Sequence, residues 1–577
     1  KIINRFISDQ KLFQPFKLNN NESLTNKILN HSYRIFFLLI IILGVYLRLY
    51  TGPGVDLWFD EAYRAVGYVE NGFTHWATVI DKIRPIGYTF LTYIIQKIHN
   101  TDFMLRLPSL IASILTIFVV WGISNRIFGD PDKPVKSQIA ILLSVFLVSF
   151  NPTLIGFSKE FKPYALELFL HLLLIYLLLL YLQNNTYRNL LFLLFSSFIS
   201  IFFAYNIIFA LPIILIIVLL KSLGDKDNRS FILICLTIVI IIISFTIIKV
   251  NLVGSIIESK NESSEFWGNK YDVFITDDET GFVDRIKWYY TKTADIIEFS
   301  TKNLIFIDLP VKINSFFNIF LKNISILLLF LGLIVLFIKR KIPYVLLFFL
   351  PIVIVIILNV LKIWTYGNFR ANLFIYGYFL FIVLFGINFL LESKDKILRY
   401  AIVSFIVVFY FILQFPYNFN FYRTKVVSVP TYNAMELVNF LYNHERLLDD
   451  EYKKTIYTDL HVSDPLKYYV NYNKDTAPKY NKLYREEFRN YSEVIPIFRI
   501  PLEDSEKMVV EALKKEKFIY FCFLYNSFSP LYDFNTKEDK RLFALDIFNK
   551  YSNVKQYILD TNVIFYCEST IFDEYAK

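Results

Sequence analysis

Cysteine is nearly absent: Cys235, Cys522 and Cys567 are the three in 577 residues. That number is too small for a disulfide framework, and no paired spacing suggests a metal site. Cys522 and Cys567 sit in strand-like runs and are expected to be small core residues; one bridge between them stays open if that region lies outside the cell. The chain also lacks a Gly-rich phosphate loop, any other nucleotide motif and an internal repeat. His75, His99 and His171 stand alone rather than at ligand spacing, so none of them founds a metal site. His171, inside an apolar run, is expected to be a buried hydrogen-bonded residue. The opening stretch KIINRFISDQKLFQPFKLNN is polar and basic, and the apolar run after it lacks a small-residue cleavage site. A retained signal anchor is the expectation there.

What the chain has in excess is apolar surface. It is 55% hydrophobic and 18% aromatic, with a mean hydropathy of +0.44. A polytopic membrane protein follows. The net charge of +9 need not mean nucleic acid, because Lys and Arg held in short cytoplasmic loops set the orientation of such chains.

A span needs about 20 mostly apolar residues. Runs near that length lie at 33–50, 105–124, 137–157, 164–182, 189–205, 206–221, 231–250, 320–338, 343–362, 373–391 and 399–416. The segment IGYTFLTYIIQKIH at 86–99 is shorter and carries Gln96, Lys97 and His99, so it is expected to lie in the interface. With that choice the basic loops Arg126 to Lys136, Arg188, Lys221 to Arg229, Lys339 to Lys341 and Lys394 to Arg399 all become cytoplasmic, as positive-inside bias requires. The expected architecture has about 11 transmembrane helices in the plasma (inner) membrane. It divides into a cytoplasmic tail at 1–32, a transmembrane domain at 33–416 with outer loops at 51–104 and 251–319, and an extracytoplasmic soluble α/β domain at 417–577. The last shows β-like runs (TIYTDL, KFIYFCFL, NVIFYCES) alternating with helix-like ones.

Four ionisable groups converge on the outer face in this topology: Asp60 and Glu61 in LWFDEAY; Arg84 and Arg106; Lys159, Glu160, Lys162 and Tyr164 in GFSKEFKPYAL; and Tyr366 and Arg370 in WTYGNFRANLF. Each has an ordinary explanation. Paired carboxylates at a helix start answer the helix dipole, and Arg or Lys at a span mouth snorkels to the interface. Their arrival from separate loops favours a joint role. Cations beside a carboxylate suit a phosphate leaving group next to an acceptor that must lose a proton.

The runs FDEA, RP, RLPS, SKEFKPYAL and YGNFRANLF, in that order, resemble the membrane glycosyltransferases of the GT-C fold, across roughly 33–416. They are most similar to the dolichyl-phosphate-mannose-protein mannosyltransferase family (glycosyltransferase family 39), with the lipid A aminoarabinose transferases as cousins. The resemblance implies inverting transfer of a sugar from a polyprenyl phosphate carrier to a hydroxyl of a glycan, lipid or protein acceptor. It implies Asp60 as the catalytic carboxylate with Glu61 beside it, and Arg106, Lys159, Lys162, Arg370 and Arg84 as donor-phosphate ligands. Glu160, Tyr164 and Tyr366 become sugar or acceptor contacts. Lys162 stands where Arg is usual, keeping charge but losing the bidentate fork, and Arg84 stands where relatives have His or Lys. No cofactor is firmly expected; a divalent metal stays open because relatives differ. Competing readings are a transporter or flippase for a lipid-linked sugar, which nearly charge-free spans oppose, and a polysaccharide polymerase or ligase, for which the early acidic pair has no role.

Overall fold

The computed structural model describes residues 24–49, 56–57, 59–75, 85–130, 134–248, 274, 281–299, 311–367, 370–392, 401, 404, 434–447, 455–458, 460–476, 502–515, 518–524, 545–546, 548–558 and 562–571. Two units emerge: Lys1–Thr51, Ala77–Leu91 and Arg106–Val427 form the first, and Gly52–Trp76, Thr92–Leu105 and Ser428–Lys577 the second.

In chain order the helices begin with α1 (Leu24–Leu49), α2 (Phe59–His75), α3 (Ile86–Ile98), α4 (Asp102–Phe128), α5 (Pro134–Ser149), α6 (Pro152–Ser158) and α7 (Tyr164–Gln183). There follow α8 (Tyr187–Phe203), α9 (Leu211–Asp225), α10 (Asn228–Ile248), α11 (Phe282–Phe299), α12 (Val311–Ile338), α13 (Ile342–Val360, with a π-helical stretch at Val345–Phe349) and α14 (Leu373–Leu390).

Among the described residues, six helices are long and apolar enough to cross a membrane: α1 from His31, α4, α7, α10 to Ile247, α13, and α14 with the preceding turn from Arg370. Shorter apolar helices run over Lys136–Ser149, Tyr187–Phe203 and Asn323–Ile338. The expected run at 399–416 lies outside the described residues but for two positions. On α10, Leu236, Ile240, Ile243 and Ile247 are exposed, a surface suited to lipid tails rather than water. The chain is a multi-pass membrane protein.

Two expected spans are redrawn by backbone chemistry. The run 137–157 is not one helix: Asn151 caps a new one by accepting from the Leu154 N–H at 3.0 Å, and Pro152 occupies its first turn. The run 206–221 opens instead as a 3-10 turn, Tyr205–Phe209, after an extended Ala204, and α9 starts behind it with a proline in its first turn. Between α9 and α10 the left-handed Lys226 ends one helix, and Asp227 caps the next by accepting from the Arg229 and Ser230 N–H groups.

The tightest helix pairing is α12 with α14. A Cβ on Gly332 would stand 1.9 Å from the Ile382 carbonyl oxygen, and one on Gly386 would stand 2.4 Å from that of Leu328. Only paired glycines let the backbones approach so closely. At one end of this unit Glu392 receives both Lys136, at 2.6 Å, and Lys339.

The second unit continues with α15 (Ala434–Leu447), β1 (Thr455–Thr458), α16 (Leu460–Lys467) with a π turn at Tyr468–Tyr472, α17 (Leu502–Lys515), β2 (Phe518–Leu524), β3 (Ser552–Ile558) and β4 (Asn562–Ser569). The sheet order is β1-β2-β4-β3, with β1 parallel to β2 and the other pairs antiparallel. Val509 and Leu513 of α17 pack on Phe521, Phe548, Phe565 and Cys567. Cys567 pairs in register with Ile519, and Cys522 with Ile564, so the cysteines are three residues apart along β2. That is about 10 Å, beyond disulfide reach. Both are buried and neither is in a disulfide, and the bridge left open by the sequence is excluded.

Candidate active site

Within the first unit, cations gather where α1, α4, α5 and the α6–α7 turn meet. Arg48, in the last turn of α1, is fully buried. Its Nη1 donates to the Gly44 and Ser149 carbonyls at 2.9 and 2.8 Å, its Nη2 to Val148 at 2.9 Å, and its Nε to Ser113 Oγ at 2.7 Å. The reason lies in the chain: the last carbonyls of α5 have no helical donor, and Pro152, four residues after Val148, has no N–H to give. A guanidinium fork fills both needs.

The run Ser158–Lys162 is buried throughout. The Lys159 N–H closes α6 on the Gly156 carbonyl at 2.9 Å, and Ser109 of α4 donates to the Lys162 carbonyl at 2.5 Å. Arg106, one turn before Ser109, is also buried. Burial, with repulsion from Arg48 and then Arg106, lowers the Lys159 ammonium from 10.5 to about 8. Arg106 and Lys159 are thus brought together as the sequence suggests. Arg48 joins them unannounced: at the end of an apolar run it reads as an ordinary snorkelling anchor.

Tyr366 and Arg370 belong to the loop before α14. Tyr366 is fully buried, and its hydroxyl shares a hydrogen bond with Thr293 of α11 at 2.8 Å; burial raises it above the usual phenol range. It braces the loop rather than offering a surface. Asn372 holds the same loop, accepting from Trp364 Nε1 at 3.0 Å and donating to the Thr365 and Gly367 carbonyls. Arg370 is half-buried, as is Tyr164 at the start of α7; Glu160 is buried. Arg84 lies outside the described residues.

Asp60 and Glu61 are in the second unit, in the first turn of α2, where the dipole favours both. Glu61 is fully buried and Asp60 half-buried. Around them Gln96 Nε2 donates to the Ala65 carbonyl at 2.7 Å, Asn100 Nδ2 donates to the Tyr472 carbonyl at 3.0 Å, and the Tyr469 hydroxyl donates to Asp102. Asp56, four residues before Asp60, accepts from the Met435 N–H at 2.7 Å. Among the described residues no group of three or more His, Cys, Asp or Glu is placed to hold a metal ion.

Residues 83–248 match the family described as dolichyl-phosphate-mannose-protein mannosyltransferase. Within that mannosyltransferase match fall RP, RLPS and SKEFKPYAL, and so Arg106, Lys159, Glu160, Lys162 and Tyr164; FDEA and YGNFRANLF lie outside it. No curated protein matches the chain in sequence. Two solved structures of ArnT from Cupriavidus metallidurans align at 10% identity. The apo form covers 93% of this chain and 98% of its own at a TM-score of 0.46; the form bound to undecaprenyl phosphate covers 94% and 98% at 0.47. Those scores are too low to support an argument from shape.

Proposed function

We propose that this protein is an inverting glycosyltransferase of GT-C type, moving a sugar from a polyprenyl-phosphate-linked donor to an acceptor hydroxyl at the extracytoplasmic membrane face. The observation that carries the reading is the gathering of three buried cations, Arg48, Arg106 and Lys159, inside an apolar helical unit, where burial and then the two arginines lower the Lys159 ammonium. An arriving phosphate turns that repulsion into attraction, and charge-assisted contacts to phosphate are among the strongest hydrogen bonds available. The matched family's description supplies the lipid-linked phosphate sugar as the donor class.

In the proposed reaction the acceptor oxygen attacks the anomeric carbon from the face opposite the phosphate. The bond from that carbon to the phosphate oxygen breaks, the electron pair leaves with the polyprenyl phosphate, and the acceptor proton passes to Asp60. Such base catalysis typically contributes about 10²- to 10⁴-fold. Arg106, Lys159, Lys162, Arg370 and Arg84 hold the phosphate and take up its developing charge. Glu61 orients the acceptor or a neighbouring arginine, and Glu160 and Tyr164 contact sugar or acceptor. Phosphate is a weak base, so no separate general acid is needed. The acceptor is a glycan, lipid or protein hydroxyl.

The test is transfer of label by the purified protein from a panel of radiolabelled polyprenyl-phosphate sugars, with a membrane extract as acceptor, for wild type and Asp60→Asn. Label moved by wild type and not by Asp60→Asn establishes both class and base. Equal transfer by the variant moves the base elsewhere, and no transfer by either turns attention to lipid-linked sugar transport.

A further inference from the structure

The chemistry above leaves unused a polar chain inside the first unit. Glu167, in the first turn of α7, is 92% buried, being 8% exposed. Its Oε2 accepts from Asn206 Nδ2 at 2.9 Å; Asn206 Oδ1 lies 3.2 Å from His171 Nε2; His171 Nδ1 lies 2.6 Å from the Tyr378 hydroxyl. Asn206, His171 and Tyr378 are each at most 2% exposed, and the imidazole stacks on Phe374.

The donors all run one way. Asn206 spends its amide hydrogen on Glu167, so its oxygen accepts from His171 Nε2–H, and Nδ1 accepts the Tyr378 proton, an arrangement complete with a neutral imidazole. Three residues from three places in the sequence thus fix one carboxylate oxygen. Asn206 reaches it because the backbone breaks between α8 and α9. Irregular backbone at such depth is tolerated where it is buried in protein or lines a wet cavity. The other oxygen, Oε1, accepts no hydrogen bond from the described residues. A carboxylate is costly among apolar helices, and ionisable groups there mark substrate paths.

We propose that Glu167 is a further substrate-contacting residue, whose Oε1 accepts a hydrogen bond from a hydroxyl of the donor's sugar, with Asn206, His171 and Tyr378 as positioning residues behind it. This rests on the transferase reading. As an acceptor Oε1 needs a ligand that presents a donor, and of the donor's two parts the sugar has hydroxyls while the phosphate ester has none. Glu167 lies three residues after Tyr164 on one helix face and five after Lys162, so the sugar contact and the phosphate contacts share one chain segment.

The experiment first finds which polyprenyl-phosphate sugar of the panel wild type transfers, then measures binding of that donor and of the same polyprenyl phosphate without sugar. Glu167→Gln keeps shape and the Asn206 bond but puts an amide NH2, a donor, where the acceptor Oε1 stood. It is expected to bind the sugar-free lipid as wild type does, and the sugar-bearing donor about 10- to 100-fold more weakly, the cost of leaving a buried polar group without its partner. Asn206→Ala shows the same contrast, and the double variant is no weaker than Glu167→Gln. Equal binding of both lipids by wild type and variant overturns the proposal, as does equal weakening of both, which marks a structural role. If wild type transfers no member of the panel, the underlying reading fails and this proposal falls with it. Should Glu167→Gln not fold, Tyr378→Phe gives the same contrast at about threefold, and its absence counts against the proposal.

Discussion

Arg48 Nη1 meets the Ser149 carbonyl at 2.8 Å, binding the end of the first apolar helix to the end of α5. Arg48→Ala leaves the Val148 and Ser149 carbonyls buried without their donor. The expected cost is about 2–4 kcal/mol, read as lower thermal stability in detergent. Arg48→Lys keeps charge without the fork and recovers only part of the loss.

On the transferase reading, Lys159 makes lipid-phosphate affinity depend on pH. Its folded pKa of about 8 lies below the ordinary 10.5, so the unfolded chain holds more protons between those values, and the empty protein gains stability as pH rises from about 8 to 10.5. Phosphate binding favours the ammonium, so the opposite trend appears there: affinity for polyprenyl phosphate falls as pH rises through about 8. Titration calorimetry or a spin-label assay from pH 6.5 to 9.5, a range set to about 1.5 units either side of that value, should show the fall in wild type and a flatter profile in Lys159→Met.

Gly386→Leu should separate α12 from α14, because even a Cβ would stand 2.4 Å from the Leu328 carbonyl oxygen. Overpacking of this kind costs about 1–3 kcal/mol or more. Faster proteolysis of the purified protein is the expected readout, with Gly386→Ala intermediate.

Asp464 carries a buried carboxyl raised from 3.8 to about 6, chiefly by burial, with Lys467 opposing and Glu70 adding to the rise. A raised acid contributes stability below its unfolded pKa and loses it as pH climbs through about 6. Asp464→Asn should therefore raise the melting temperature at pH 7 and leave it nearly unchanged at pH 4, with roughly 3 kcal/mol as the ceiling.

Asn372→Ala should loosen the loop bearing Arg370 by removing three hydrogen bonds at once. On the transferase reading the donor KM rises several-fold, while the melting temperature falls by only a few degrees.

Hydropathy alone located most helices: the expected runs at 164–182 and 373–391 appear as Tyr164–Gln183 and Leu373–Leu390. Lys136 and Lys339, from basic loops that charge bias assigns to one side, both pair with Glu392. Short-range signals that were present but overridden by apolar content were missed, as with the Asn-Pro pair that starts α6. Arg48 and Glu167 were not legible for a different reason. Arg48 is decided by carbonyls 100 and 101 residues away, and Glu167 by an amide 39 residues away. Nor does periodicity reveal that 52–76 and 92–105 share a unit with 428–577.

The Asp56 cap on Met435 spans 379 residues. At about 5–20 residues per second, the ribosome needs roughly 20 to 75 s to deliver the partner after the carboxylate emerges. Throughout that interval α2, with Asp60 and Glu61, is made but its unit is unfinished. On the transferase reading, the acidic pair gains its final setting only after the later segments have arrived.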